Sequence, residues 1–438
     1  MSRGKKLIAI CCAMIGVGIV LCIVGASLGG LVTGIDVGMG GIKVYAPKTG
    51  QTLEKITYRT GDETLESFDS IKVDADYAEI TIQPADRYGI AYKLNDKYEF
   101  SYEVKDGVLS VSQKCPKNTS ISYYNFSIGN LEITNRSEYS STTVYEKEYI
   151  TVYVPEGSKF QNVDIKALSG NVTGSHFDTD TLQLSAEYGD VELEEVGSQN
   201  AKLIVDSGDI NITAFADGNI TIEDEYGDVT LSDITAAQMN LKVVSGNFEA
   251  KGVIAEDLTV EDEYGHITLE NVKSNGMNLS VDSGNISIVD AQTGECVVYS
   301  EYGDVEGRQL SAASVRVSAM SGTIKVEDVE TEAAIMFTEY GNIEGDKLKA
   351  DTLSAEVDSG SCSISNLDIK NVELKVEYGD ATLGLLTKLT DYSYDLKTEY
   401  GGIVLGNKDM GDTYKSLEEK DRKIVIDCES GSIQLEEE

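Results

Sequence analysis

The side chains in this chain best suited to chemistry are carboxylates that recur beside a tyrosine. Glu-Tyr-Gly is written seven times, beginning at Glu187, Glu225, Glu263, Glu301, Glu339, Glu377 and Glu399. An aspartate follows the glycine at Asp190, Asp228, Asp304 and Asp380. Glu187 with Asp190, Glu225 with Asp228, Glu301 with Asp304, and Glu377 with Asp380 are all-oxygen pairs, the donor type that hard cations such as calcium prefer. Two carboxylates without a cage of backbone carbonyls hold such an ion weakly, in the millimolar range, so these are weak metal candidates. The competing reading is structural: Glu and Tyr shape a bend, and the bulky Tyr packs against a small Ser of the adjacent repeat. A repeat preserves its structural residues by construction, which makes this the stronger reading.

Little else in the chain suggests a reaction. The two histidines are His176 and His266, and His266 follows Gly265 where other copies carry Asp190, Asp228 and Asp304. It is a substitution inside a repeat, not half of a triad. No Gly-x-Ser-x-Gly, P-loop, His-Glu-x-x-His or calcium nonapeptide pattern occurs. An enzyme needs a constellation that breaks the repeat, and the chain reads as non-enzymatic and without a cofactor. Cys11, Cys12 and Cys22 lie in an apolar run and act as small apolar residues. Cys362 and Cys428 stand where other copies have Val or Ile, while Cys115 and Cys296 are scattered. Core filling is expected of Cys362 and Cys428, and no disulfide framework is expected.

The elements that position these residues come from a repeat. Glycines fall at Gly170, Gly189, Gly208, Gly227, Gly246, Gly265, Gly284, Gly303, Gly322, Gly341, Gly360 and Gly379, every step being 19 residues. Ser and Tyr take turns before the glycine, and looser copies follow at Gly401 and Gly431. Residues two and four after the glycine are usually apolar, as at Val191 and Leu193. So are those five and seven before it, as at Leu184 and Leu182. This predicts strand, bend, strand with one face buried. One unit buries about five apolar side chains, roughly 8–15 kcal/mol, which does not exceed the cost of ordering its backbone. Units must therefore stack.

Two stackings are open. An antiparallel meander would place each glycine in a hairpin turn, but such turns favour Asn-Gly or Asp-Gly over Tyr-Gly. A parallel β-solenoid with the glycine at a bend suits the pattern better. Fourteen coils at about 4.8 Å each make a rod of about 65 Å. A coil of twice the repeat, with every tyrosine on one edge, stays open as well.

The formal net charge is −39, and the first 33 residues carry three basic and no acidic side chains, leaving −42 for the rest. Such a surface repels nucleic acid and anionic headgroups and attracts cations or basic partners. Its plainest consequence is solubility and protection against self-pairing. Four prolines and no tryptophan suit a regular β stack.

At the N-terminus, Arg3, Lys5 and Lys6 precede an uncharged apolar run, Leu7 to Val32, long enough to span a bilayer. The basic flank keeps that end cytoplasmic and places the bulk outside, giving a single-pass protein of the cell membrane. A signal peptide cleaved after Val24-Gly25-Ala26 is the competitor, though the run is long for one. The expected organisation is an all-β solenoid with one N-terminal transmembrane helix. It comprises a basic tip and anchor at 1–33, a stalk at 34–67, an N-terminal β region at 68–160, and the 19-residue-repeat solenoid at 161–438. Pro116 to Tyr145 reads as a loop insertion, with Tyr123, Tyr124, Phe126 and Tyr139 as a candidate contact surface. At the other end, Glu436, Glu437 and Glu438 are expected to shield the open edge of the last coil.

An anchor, the strand pair Ile71-x-Val73 and Ile80-x-Ile82, the strand end Ile150-Thr-Val152-Tyr-Val154-Pro155-Glu-Gly, and repeated Ser-Gly-Asn/Asp-Ile/Val units occur in that order. Over residues 68–438 this resembles the bacterial adhesin-like family of β-strand-repeat domains of unknown function. The resemblance implies a β-solenoid on the outer face of the cytoplasmic membrane with no known enzyme activity. It also implies a binding or scaffolding role toward an unidentified protein or envelope polymer. The alternative it implies is an accessory or regulatory subunit of envelope-stress signalling. A signalling subunit needs Leu7 to Val32 for specific contacts; a surface rod tolerates their exchange.

Overall fold

The computed structural model describes residues 56–115 and 146–438, together with the backbone of four strands, Gly34–Gly38, Gly41–Tyr45, Tyr124–Ile128 and Leu131–Asn135. The chain forms two units. The smaller comprises Met1–Arg59, Asn95–Tyr98 and Cys115–Lys147. Within it Gly34–Gly38 pairs antiparallel with Gly41–Tyr45, and Tyr124–Ile128 with Leu131–Asn135. Both hairpins lie within the stretches read as stalk and loop, where short alternating runs such as Ile35, Val37, Ile42 and Val44 pair locally. Leu7 to Val32 lies outside the described residues, as do the side chains of Tyr123, Tyr124, Phe126 and Tyr139. Among the described residues no helix is long and apolar enough to cross a membrane.

The larger unit is a parallel β-solenoid of about 12 turns. Through the repeats each coil pairs with the next at an offset of 19 residues, so Val191 meets Ile210, Ile210 meets Val229, and Val229 meets Phe248. The coil is therefore one repeat long, and neither the antiparallel meander nor the double-length coil is formed. Main-chain bonds stitch the corners: the Gly189 N–H donates to Ser207 O at 2.9 Å, and the Gly208 N–H to Tyr226 O at 3.0 Å.

Each coil has three short sides, not the two that the apolar spacing suggested. Pairing between 172–186 and 191–205 is interrupted at residue 176 and again at residue 180, giving two corners besides the glycine. The first of these, six residues after the glycine, is a left-handed residue, for instance Asp233 (φ 55°), Asn271 (φ 55°), Asp290 (φ 54°) and Asn366 (φ 51°). Asn and Asp tolerate that conformation better than other side chains with a Cβ. His176 occupies one of these corners with φ 57°. Between corners, inward residues alternate, so that Val229, Leu231, Ile234, Ala236, Met239, Leu241 and Val243 of one coil are all buried.

The glycine column is required by crowding. A Cβ on Gly246 would overlap the Gly227 carbonyl oxygen, and one on Gly284 would overlap that of Gly265. The corner runs so close to the corner beneath it that only a bare Cα fits.

Both ends depart from chain order. Residues 70–75 pair parallel with 162–167, and 80–82 with 172–174, so the first coil lies far ahead of the repeats in sequence. At the other end Ser430 lies between Tyr378 and Tyr400. The last segment of the chain, with Gly431, is thus inserted between the coils of Gly379 and Gly401. This corrects the expectation that Glu436, Glu437 and Glu438 shield the open edge of the last coil: Ile433, Gln434 and Leu435 are paired on both sides, and Glu436 and Glu437 continue that inner strand, paired on one side with Gly384 and Leu385. The edge is covered by reversed strands instead, with 413–415 antiparallel to 395–397 and 408–409 antiparallel to 404–405. Reversal ends the parallel ladder without offering it a new parallel partner.

Candidate functional site

The Glu-Tyr-Gly corners fall in one register along the stack. Tyr226 stands opposite Ser245, Ser245 opposite Tyr264, and Tyr264 opposite Ser283. The same alternation continues through Tyr302, Tyr340 and Tyr378. Insertion of Ser430 between Tyr378 and Tyr400 preserves it where the sequence period fails. Six of the seven tyrosines are between 59% (Tyr302) and 63% (Tyr264) exposed, and Tyr400 is 77% exposed. Each ring is separated from the next by a serine coil, hence by about 9.6 Å.

The glutamates line the same corner. Glu187, Glu225 and Glu399 are exposed, and Glu263, Glu301, Glu339 and Glu377 are half-buried. Lys375 Nζ holds Glu377 at 2.8 Å and Glu356 at 2.9 Å. Lys242 lies 3.6 Å from Glu263. Glu187, Glu225, Glu301 and Glu339 have no ion pair among the described residues. On a neighbouring coil, burial and then the charges of Glu377, Glu356 and Glu339 push the Asp358 carboxyl upward.

The aspartates after the glycine have a different task. They form a ladder in which each side chain accepts the main-chain N–H of the same position one coil on. Asp190 Oδ1 accepts from Asp209 N at 3.1 Å, Asp209 Oδ1 from Asp228 N at 3.0 Å, and Asp228 Oδ1 from Asn247 N at 2.7 Å. Asp304 Oδ1 accepts from Thr323 N at 2.8 Å, and Asp380 Oδ1 from Ser432 N at 2.7 Å. Asn171, Asn247, Asn285 and Asn342 serve alike. In this ladder Asp190, Asp228, Asp304 and Asp380 satisfy backbone donors at the corner. Among the described residues no group of three or more His, Cys, Asp or Glu side chains is arranged to hold a metal ion.

The sequence reading missed two buried aspartates, Asp224 and Asp262, which are 2% and 3% exposed. They occupy an inward column otherwise apolar nearby: Val205 faces Asp224, Asp224 faces Val243, Val243 faces Asp262, and Asp262 faces Val281. No oxygen of either has a hydrogen-bond partner among the described residues. Burial pushes both carboxyls up to about 7. Elsewhere in this column hydroxyls donate to corner carbonyls, as Thr398 Oγ1 does to Gly431 O at 2.8 Å and Ser300 Oγ to Gly303 O at 3.1 Å. A protonated carboxyl suits such a place. The signal was legible as an acid breaking the apolar alternation three residues before Gly227 and Gly265.

Cys296, Cys362 and Cys428 are buried free thiols. Burial pushes the Cys296 and Cys362 thiols up to about 12, which suits core filling and not reactivity.

The family profile of the Toastrack domain DUF4097 matches residues 68–280 and 271–436, so it covers the solenoid from its first strands to its last. The chain belongs to the Toastrack DUF4097 family. This Toastrack solenoid is similar to several solved structures. An adhesin-like protein of Bacteroides fragilis NCTC 9343 is 16% identical, with 66% of this chain and 96% of that chain covered and a TM-score of 0.23. A cell-adhesion-like protein of Clostridium sporogenes ATCC 15579 is 10% identical, with 87% and 100% covered and a TM-score of 0.16. An adhesin-like protein of Parabacteroides merdae ATCC 43184 is 13% identical, with 76% and 97% covered and a TM-score of 0.19. No curated protein is a match. In this Toastrack chain the ladder, the glycine column and the inward residues all build the coil. The tyrosine–glutamate corner is the repeated surface that the coil leaves outside.

Proposed function

We propose that the chain is a non-enzymatic binding or scaffolding rod, held on the outer face of the cytoplasmic membrane by Leu7 to Val32, with its solenoid in the cell envelope. The observation that supports it best is the single register of seven exposed tyrosines, each beside a glutamate. A catalytic centre is built once from unlike residues, whereas this surface is built many times from the same ones, as a binding surface for an extended partner is. The charge asymmetry about the apolar run supports the location.

Protease added to intact protoplasts tests location and anchorage together. The repeats should be degraded while a small fragment carrying the N-terminus stays in the membrane. Protected repeats would overturn the outside location, and a mature N-terminus near Ser27 would overturn the retained anchor.

A further inference from the structure

We propose that the tyrosine column is a docking track for an extended β-1,4-linked glycan without acidic groups, one disaccharide for every two coils. This deepens the binding role proposed above and rests on it. The rings from Tyr188 to Tyr378 share one register and expose about three-fifths of their surface, with serine on every intervening coil. They therefore repeat at about 9.6 Å. In a β-1,4-linked chain alternate sugars are turned over, so the same face returns once per disaccharide, a length close to two coils. Every ring then meets the same apolar C–H face, and a rigid aromatic plane suits such contact.

The glutamates and the charge narrow the class. Carboxylates only accept hydrogen bonds, and sugar hydroxyls supply donors along the whole chain. Glu187, Glu225, Glu301 and Glu339, without ion pairs among the described residues, are available to accept them. A net charge of −39 disfavours polyanions, which leaves neutral or amine-bearing glycans.

An extended peptide is the other linear partner. A β-strand returns its face at about 6.6–6.8 Å, out of step with the rings. A polyproline II helix turns in about 9.3 Å and is in step. Proline, however, has no N–H to donate to the glutamates, and such helices dock in aromatic-lined grooves. Here serine separates the rings, so no aromatic wall faces another.

The test is calorimetric titration of the full chain, purified in detergent, with β-1,4-linked N-acetylglucosamine disaccharide, tetrasaccharide and hexasaccharide. Affinity should rise at each step as a second and third ring are reached. Exchanging Tyr226, Tyr264, Tyr340 and Tyr378 for serine copies the alternative corner the fold already uses and leaves no two neighbouring rings. It should lower hexasaccharide affinity at least about tenfold with the unfolding midpoint unchanged, while phenylalanine at the same four positions keeps the affinity. Should that variant lose cooperative unfolding, Tyr264→Ser with Tyr340→Ser decides: no three neighbouring rings remain, and the hexasaccharide should bind no more tightly than the tetrasaccharide. Absence of binding at every length, affinity independent of length, an unaffected serine variant, or tighter binding of a proline-rich peptide would each overturn the proposal. The titration uses purified protein, so its result stands apart from that of the protease experiment on location.

Discussion

His266 replaces an asparagine or aspartate in the corner ladder: its Nδ1 accepts the Asn285 main-chain N–H at 3.0 Å, while its own N–H donates to Asn247 Oδ1 at 3.2 Å. The imidazole keeps the acceptor that the coil above requires, so it must carry its proton on Nε2.

His266→Leu removes that acceptor and should cost about 0.5–1.5 kcal/mol. His266→Asn restores the ladder residue and should cost nothing. Hydrogen exchange at the Asn285 amide reads the effect locally: faster exchange is expected in the leucine variant alone. Equal exchange in both variants would show that the ladder contributes nothing here.

Asp224 and Asp262 make the solenoid less stable at high pH. Burial raises each from its ordinary 3.8 to about 7, so the folded state holds protons that the unfolded chain has released. The stability linked to these groups is fully present below about pH 4, falls as pH rises toward 7, and levels off above it. Asp224→Val with Asp262→Val, matching Val205, Val243 and Val281, should remove the fall. The gain at pH 8 is at most on the order of 4 kcal/mol per site and shrinks toward zero near pH 4. Thermal unfolding across that range checks it, and a gain independent of pH would assign the effect to packing instead.

Gly246→Ala should destabilise the stack by at least about 1–3 kcal/mol, because a Cβ there has no room against Gly227. Gly402→Ala is the control, since a Cβ at Gly402 has no neighbour within 4 Å. Unfolding midpoints in urea compare the two. Equal tolerance would remove crowding as the reason for the glycine column.

Calcium should do little at micromolar concentration and raise the melting temperature only modestly at millimolar. Successive Glu-Tyr-Gly corners are about 9.6 Å apart, too far to share one ion at about 2.3–2.6 Å. Asp228 Oδ1 is further engaged by Asn247, through N at 2.7 Å and Nδ2 at 3.1 Å. A rise of many degrees at micromolar calcium would make the row a metal site.

The sequence by itself determined the repeat and its buried face, while the one-repeat coil was among the arrangements it left open. A 19-residue period, apolar residues spaced by two, and a glycine at each bend are written along the chain. In a parallel stack each repeat pairs with its own copy, so a period along the chain becomes a column in space. The tyrosine and serine columns were legible for that reason. Tertiary structure alone decided what the period does not encode. The left-handed corner at residues such as Asp233 and Asn271 depends on where the backbone must turn to close a three-sided coil. The roles of Asp190 and Asp228 depend on a main-chain donor one coil away, and the burial of Asp224 on the two valines that enclose it. Placement of Ser430 between Tyr378 and Tyr400 depends on which segment reaches the open edge and satisfies its hydrogen bonds, a choice among distant partners that no repeat specifies.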